Sequence, residues 1–334
     1  MSFVEPASPA TADSVLRVGV IGAGVMGTNH GRVLAGLPNV VLVGIVDPLD
    51  EHRRRADDMI GCPVFADLDG LLAAGVDAVT IAAPTHLHHE IALACIAQGI
   101  HVLVEKPIAS TVEEGRAIVA AARRANVTLM VGHVERFNPA VAAVKKAIEG
   151  EDILSIAITR VGPFPPRMSN VGVVIDLAVH DIDLIRWFTE SDIVDVQPQL
   201  SSAVAEREDI ALLQFRTASG VLAHINTNWL TPFKARNVTV ATRHKYVQGD
   251  LLTRQVTECF GFQPDGSYSM RHLPVGHDEP LRAELISFVE AVRSGKAPAV
   301  SGEQGVASLE IATQCLATPT NSAHAVKGAR RVAG

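Results

Sequence analysis

The sequence predicts an α/β protein in two parts. The first is a doubly wound parallel sheet; the second is an α+β domain with an open-faced, mostly antiparallel sheet. Three observations carry this. A short apolar, β-branched run ends in Gly22-Ala23-Gly24-Val25-Met26-Gly27, which fits the G-x-G-x-x-G turn of a Rossmann unit. From Val15 to about Val131, apolar runs alternate with helical segments, as crossover helices between parallel strands require. After about residue 134, strand-like runs follow one another with few helices between them. The expected divisions are a disordered lead-in over 1–14, a Rossmann domain over 15–134 and a substrate-binding and oligomerisation domain over 135–330.

The run Val15 to Ile21 carries one charge, Arg17. It is too short for a helix and reads as a strand buried on both faces. Gly22 permits the tight turn, Gly24 lets backbone approach a pyrophosphate, and Gly27 lets the following helix pack against the strand. That helix, about 26–37, aims its free N–H groups at the phosphates, so Gly22 through Gly27, with Ala23, Val25 and Met26 between, are candidate dinucleotide contacts. A second strand, Val40 to Val46, ends in Asp47, where a carboxylate accepts hydrogen bonds from the adenosine ribose and repels a 2′-phosphate. The expected cofactor is NAD rather than NADP, although Arg53 and Arg54 stand close enough in sequence to pair with such a phosphate. Further strands are expected at 63–65, 78–83, 101–104 and 127–131, with helices at 48–59, 67–74, 87–98 and 111–125. Ligands of such sheets bind beyond the carboxyl ends of the strands. Two such ends lead into Ala83-Pro84-Thr85-His86 and Glu105-Lys106-Pro107.

In the second half, a helix near 138–149 leads into a strand, Ile153 to Val161, and a helix at 174–189. Strand-like runs follow at 194–204, 209–216, 221–230, 236–242, 245–250 and 254–260. Ala218-Ser219-Gly220 and Arg243-His244 read as hairpin turns. Helices close the chain at about 280–294 and 302–317, and the basic tail frays. The sheet has few helices to cover both faces, so a homodimer or homotetramer is expected.

The 334 residues, 48% of them hydrophobic, suffice for two cores. A net charge of −7 argues against nucleic acid and anionic membrane surfaces as partners. The four cysteines form no C-x-x-C pair, and reduced thiols are expected. The first 14 residues lack a basic and an apolar region, so they do not read as a signal peptide, and a cytoplasmic location is expected.

Several groups could carry chemistry. Lys106, after a strand end, would lie beside the nicotinamide end of a dinucleotide, where burial and charge tune an amine. Asp176 and His180, four apart on a helix, share one face, so the carboxylate could orient the imidazole as a general base; Asp183 follows one turn on. His86, His88 and His89 lack companion ligands for a metal, and no metal is expected. His133, Arg136 and Asn138 lie where the domains join. Arg160 and Arg167 flank a proline-stiffened loop suited to hold a diphosphate.

In this order, Gly22-x-Gly24-x-x-Gly27, Pro84 with His88, Glu105-Lys106-Pro107 and Asp176-x-x-x-His180 resemble the Gfo/Idh/MocA oxidoreductase family, over about Arg17 to Leu316. The resemblance implies NAD held also by Ala83, Pro84, Thr85, His88, Glu105 and Lys106, with Lys106 and His180 at the reacting carbon and Asp176 beside them. Thr85 departs from the Asn that many members carry. Within the family, the segments 132–139, 160–167 and 172–177 resemble those of the UDP-N-acetylglucosamine 3-dehydrogenases. That resemblance implies a UDP-sugar substrate touched by His133, Arg136, Asn138, Arg160 and Arg167. The 3-keto product would pass to a partner aminotransferase making a 3-amino sugar for lipid A or related glycans. The alternatives are a dehydrogenase of free inositol or sugar, and a non-catalytic NAD(H) sensor.

Overall fold

The computed structural model describes residues 15–165 and 171–318. The lead-in 1–14, Arg167 and the tail beyond 318 lie outside the described residues. The first sheet holds β1 (Leu16–Ile21), β2 (Val40–Val46), β3 (Val64–Phe65), β4 (Ala78–Ile81), β5 (His101–Glu105) and β6 (Leu129–Gly132). Their order is β3-β2-β1-β4-β5-β6, every pair parallel. The strand order reverses between β1 and β4, which places the ligand crevice beside their carboxyl ends. Helices α1 (Val25–Ala35), α2 (Asp50–Ile60), α3 (Leu68–Ala73), α4 (His88–Ala97) and α5 (Val112–Ala125) make the crossovers. Local chemistry sets their ends. Asp67 caps α3, Thr111 and Glu114 form a capping box on α5, and Gly61 ends α2 with a left-handed φ of 70°.

α6 (Pro139–Ala147) begins at the cap Asn138 and leads to β7 (Ile153–Pro163). A π-helical turn, Val174–Ala178, runs into α7 (Val179–Thr189). The second sheet adds β8 (Ile193–Ser201), β9 (Ile210–Thr217), β10 (Leu222–Asn228), β11 (Leu230–Thr242), β12 (Lys245–Asp250), β13 (Gln255–Phe260) and β14 (Ser269–Leu273). Its order is β14-β13-β12-β11-β7-β10-β9-β8, antiparallel except where β10 meets β7. Its inner face, with Ile156, Ile158, Leu213, Ile225, Val238 and Val240, packs on α6 and α7. Its outer face leaves Leu212 and Leu222 half exposed.

Three expectations change. β11 starts six residues before the expected 236, because Asn228 Oδ1 accepts from Leu230 and Thr231 N–H and turns the chain straight into a new strand. β14 lacks an alternating apolar pattern, since four of its five residues are exposed at the sheet edge. The chain after about 280 also returns to the first domain. α8 (Pro280–Ser294) buries Leu285 and Phe288 among Val18, Val20 and Leu34, and Val131 N–H donates to Val300 O at 3.1 Å. α9 (Gly302–Ala317) then spans both cores, with Leu309 in one and Ile311 in the other.

Candidate active site

The glycine turn has the sterics that a dinucleotide needs. Gly22 sits at φ 101°, and a Cβ there would fall 2.6 Å from Ala82 O. A Cβ at Gly27 would fall 1.7 Å from Gly22 O, so only glycine lets α1 approach β1. A Cβ at Gly24 would meet no protein atom within 4 Å; that space faces the crevice. α1 has no side-chain cap and no acid in its first turn, which leaves its N–H groups and positive dipole end open to an anion. Val25, 65% exposed, and Met26 lie bare beside them. Asp47 is buried at the end of β2; its Oδ2 accepts from Ala23 N–H at 2.8 Å and its Oδ1 from Leu49 N–H. A carboxylate has about four acceptor sites, and His52 takes a third at 3.1 Å, which leaves room for a ribose hydroxyl. Arg53 donates to Asp47 O and Pro48 O and pairs with Asp50, as does Arg54, so both are held away from the ribose position. These residues fit a bound NAD.

Lys106 follows β5 and the peptide to Pro107 is cis. Its ammonium reaches across to the π-helical turn, donating to Asp176 O at 2.7 Å and Oδ1 at 3.3 Å. The expected Asp176–His180 bond is therefore corrected. Asp176 is taken by Lys106, and no hydrogen bond joins it to His180 among the described residues. His180 Nδ1 is buried without a partner among the described residues, and its ring stands edge-on to His133 with centroids 6.2 Å apart. Burial, then the charges of Lys106 and Arg160, push His180 well below the ordinary imidazole value, so it is neutral at pH 7. Burial lowers His133 in the same way. Lys106, His180 and His133 thus meet at the carboxyl end of β5 and β6, beside the crevice.

Several expected contacts prove to be structural. His88 is buried, with Nε2 2.9 Å from Ala83 O and Nδ1 3.0 Å from Pro107 O; it ties the two loops together rather than facing a cofactor. Ala83, Pro84 and Thr85 stay at the loop surface above it. His86 and His89 lie near it in sequence and join no ion pair among the described residues. Glu105 turns inward, accepting from His30 at 2.9 Å and from Lys106 N–H at 3.2 Å. Asn138 caps α6 and donates to Leu251 O. Arg136 forms a two-pronged pair with Asp183, both bonds 2.6 Å, and is buried.

Arg160 is the largest correction. It is 2% exposed, with Nε and Nη2 on Asp181 at 2.8–3.0 Å and Nη1 on Glu135 at 2.8 Å. Burial opposes its charge, but the two carboxylates outweigh burial and hold the guanidinium above its ordinary value. A diphosphate would have to displace both acids, so Arg160 is not a phosphate ligand here. Asp209, a nearby buried acid, is committed elsewhere, accepting from the N–H groups of Ala203, Val204 and Ala205.

One residue was missed. Arg236 lies opposite Arg160 in the sheet register, on the same inner face. Its side chain is 35% exposed and makes one hydrogen bond among the described residues, from Nη1 to Glu135 Oε1 at 3.1 Å. Burial and the neighbouring Arg160 push it below the ordinary guanidinium value, the mark of a cation short of negative partners. The only sequence signal was a charge among alternating apolar residues of a strand.

Residues 16–133 match the oxidoreductase family model described as an NAD-binding Rossmann fold, and 152–247 match the GFO/IDH/MocA C-terminal domain. UDP-N-acetylglucosamine 3-dehydrogenase of Acidithiobacillus ferrooxidans is 28% identical over 90% of this chain and 96% of its own. A solved structure of that enzyme superposes with a TM-score of 0.84. Inositol 2-dehydrogenase 2 of Saccharopolyspora erythraea is 30% identical, covering 90% of this chain and 92% of the relative. GenD2 from gentamicin A biosynthesis, solved in complex with NAD, shares the fold with a TM-score of 0.78 at 24% identity, over 93% of this chain and 96% of that one. Among the described residues no helix is long and apolar enough to cross a membrane. With the glycine turn, the Lys106 loop and both domains in place, the chain belongs to the Gfo/Idh/MocA oxidoreductase family and carries its NAD-binding Rossmann domain.

Proposed function

We propose that the protein oxidises the C3 hydroxyl of UDP-N-acetylglucosamine to the 3-keto sugar nucleotide. NAD, when bound on the glycine turn, supplies a hydride acceptor. Lys106 hydrogen-bonds the reacting oxygen and stabilises the alkoxide as it forms, while neutral His180 takes the hydroxyl proton. Asp176 holds the ammonium in place. The observation that carries this reading is the meeting of Lys106 with Asp176 beside a neutral, half-buried His180. Arg236 takes the anion-binding role that Arg160 cannot fill, and His133 lies against the sugar side of His180. The product, a ketone beside an acetamido group, suits an aminotransferase that forms the 3-amino sugar.

One observation favours a second reading, oxidation of a free polyol. Arg160 and Arg136 are closed by carboxylates, and inositol dehydrogenases are as similar to the chain as the sugar-nucleotide enzyme. NADH formation with UDP-N-acetylglucosamine, free N-acetylglucosamine and myo-inositol separates the readings, with UDP as inhibitor. Turnover of the nucleotide sugar with competitive inhibition by UDP is expected. Turnover of inositol alone, without UDP inhibition, would replace it with the polyol reading, and oxidation of no substrate in the panel would favour the sensor. The half-exposed Leu212 and Leu222 on the outer face of the second sheet support a homo-oligomer, and sedimentation showing only monomer at micromolar concentration would refute that.

A further inference from the structure

Beneath the Lys106 loop lies a buried group that the proposed chemistry does not use. A ring nitrogen of His30 from α1, a carboxylate oxygen of Glu105 from β5 and one of Glu284 from α8 lie within 4.8 Å of one another. His30 and Glu284 are fully buried and Glu105 nearly so. His30 Nε2 is 2.9 Å from Glu105 Oε1, while Glu105 Oε2 accepts from the backbone N–H of Lys106. Both oxygens of Glu284, and Nδ1 of His30, have no partner among the described residues.

We propose that His30, Glu105 and Glu284 form one buried positioning unit for Lys106, in which Glu284 stays protonated and supplies the donor that lets Glu105 keep its charge. Two carboxylates this close, out of water, do not both ionise without a cation between them. The groups facing Glu284 are few. α1 presents His30, and its Arg32 pairs with Glu279 at the start of α8. β5 presents Glu105, and Lys106 beyond it points to Asp176. β6 ends in His133, whose burial keeps it short of its ordinary value. The turn after β6 contributes apolar Val134 and Phe137 to the α8 core, and its Glu135 and Arg136 are taken by Arg160 and Asp183. Burial works against the charge of Glu105, but the bond from His30, and after it the charge of Lys106, hold it below the ordinary carboxylate value. Glu284, raised well above its own by burial and then by Glu105, is the member that keeps the proton. Glu105 is thus free to accept both bonds, and one of them fixes the backbone from which the Lys106 side chain departs. The acid also has a sequence logic. Leu281, Leu285 and Phe288 make the apolar stripe of α8, and Glu284 interrupts it.

This inference rests on Lys106 being the reaction-site lysine, so its test uses readouts that need no substrate. Infrared difference spectra of the whole enzyme should show a protonated carboxylic acid carbonyl at neutral pH that Glu284→Gln removes. A carboxyl whose value is raised on folding binds more protons folded than unfolded. Stability should therefore fall as pH rises above the unfolded value near 4.5, by up to about tenfold in the folding constant per pH unit for one proton. Glu284→Gln should flatten that slope. With the substrate identified by turnover, Glu284→Gln, a neutral donor, should keep kcat within about twofold. Glu284→Leu should lower kcat about tenfold to a hundredfold through misplacement of Lys106, with little change in NAD affinity. Absence of the carbonyl band, an unchanged pH slope, or a Gln variant as damaged as the Leu variant would overturn the proposal. If Glu284→Leu does not fold, the spectra and the pH slope still decide.

Discussion

The glycine turn and the inner face of the second sheet both carry residues that look made for phosphates, and they resolve in opposite ways. At the turn, binding is done by backbone: N–H groups at the start of α1, and empty space where a Cβ at Gly24 would sit. On the sheet Arg160, and in the turn after β6 Arg136, are saturated by Asp181, Glu135 and Asp183, and of the three arginines Arg236 keeps partial exposure. The turn's capacity follows from the local conformation of six residues. An arginine's capacity depends on which acid the fold brings to it from another element.

The sharpest way to break this comparison is at the reacting pair, which belongs to neither region. Lys106→Ala and His180→Ala should fold and bind NAD, yet lose about a hundredfold to ten-thousandfold in kcat. NAD titration by fluorescence, beside turnover, checks this; near-normal turnover in either variant removes that residue's role. Next, Arg160→Ala should behave as a folding mutant. It leaves Asp181 as an uncompensated buried charge, a loss of about 3–5 kcal/mol, readable in urea unfolding. A stable variant with only a raised KM would return Arg160 to the substrate site.

Arg236→Ala should show the reverse pattern. Its single, half-exposed bond contributes little to stability, but a charge-assisted contact to phosphate contributes roughly 1.5–3 kcal/mol. KM for the nucleotide sugar should rise about tenfold or more, by the 1.4 kcal/mol-per-decade rule, with kcat largely kept and UDP inhibition weakened. An unchanged KM would shift the anion site elsewhere. The smallest effect expected is on acid stability. Burial holds His88, His133 and His180 below the ordinary imidazole value. Below about pH 6.5 the unfolded chain takes up protons that the folded chain refuses, so stability falls with falling pH until the folded values are reached. Urea midpoints across pH 5–7 measure it, and His133→Asn should shallow the slope.

The elements of the first domain were legible because they announce themselves locally: a β-branched run, a glycine at the turn, a side-chain cap on α3 and on α5. α5 and α8 match their expected spans almost to the residue, since Thr111 with Glu114 and the left-handed Gly295 mark their ends. β14 was illegible, because an exposed edge strand has no buried face to impose alternation. The Asp176–His180 pairing was misread for a related reason. Spacing says which residues share a helix face but not which partner takes the carboxylate, and Lys106 reaches Asp176 from another element.

By itself the sequence determined the Rossmann order of strands and helices, the glycine turn with Asp47, the Lys106 loop and the family. The first two follow from periodicity and backbone freedom within a few residues, the last two from the resemblance of the motifs. Only the tertiary structure decided which charges stay available. Asp181 and Glu135, 21 and 25 residues from Arg160, close on it. Asp176 crosses 70 residues to reach Lys106, and Glu284 arrives from the far end of the chain to meet Glu105. A buried charge must find an opposite charge or a proton; which one it finds depends on elements brought together only when both sheets have packed.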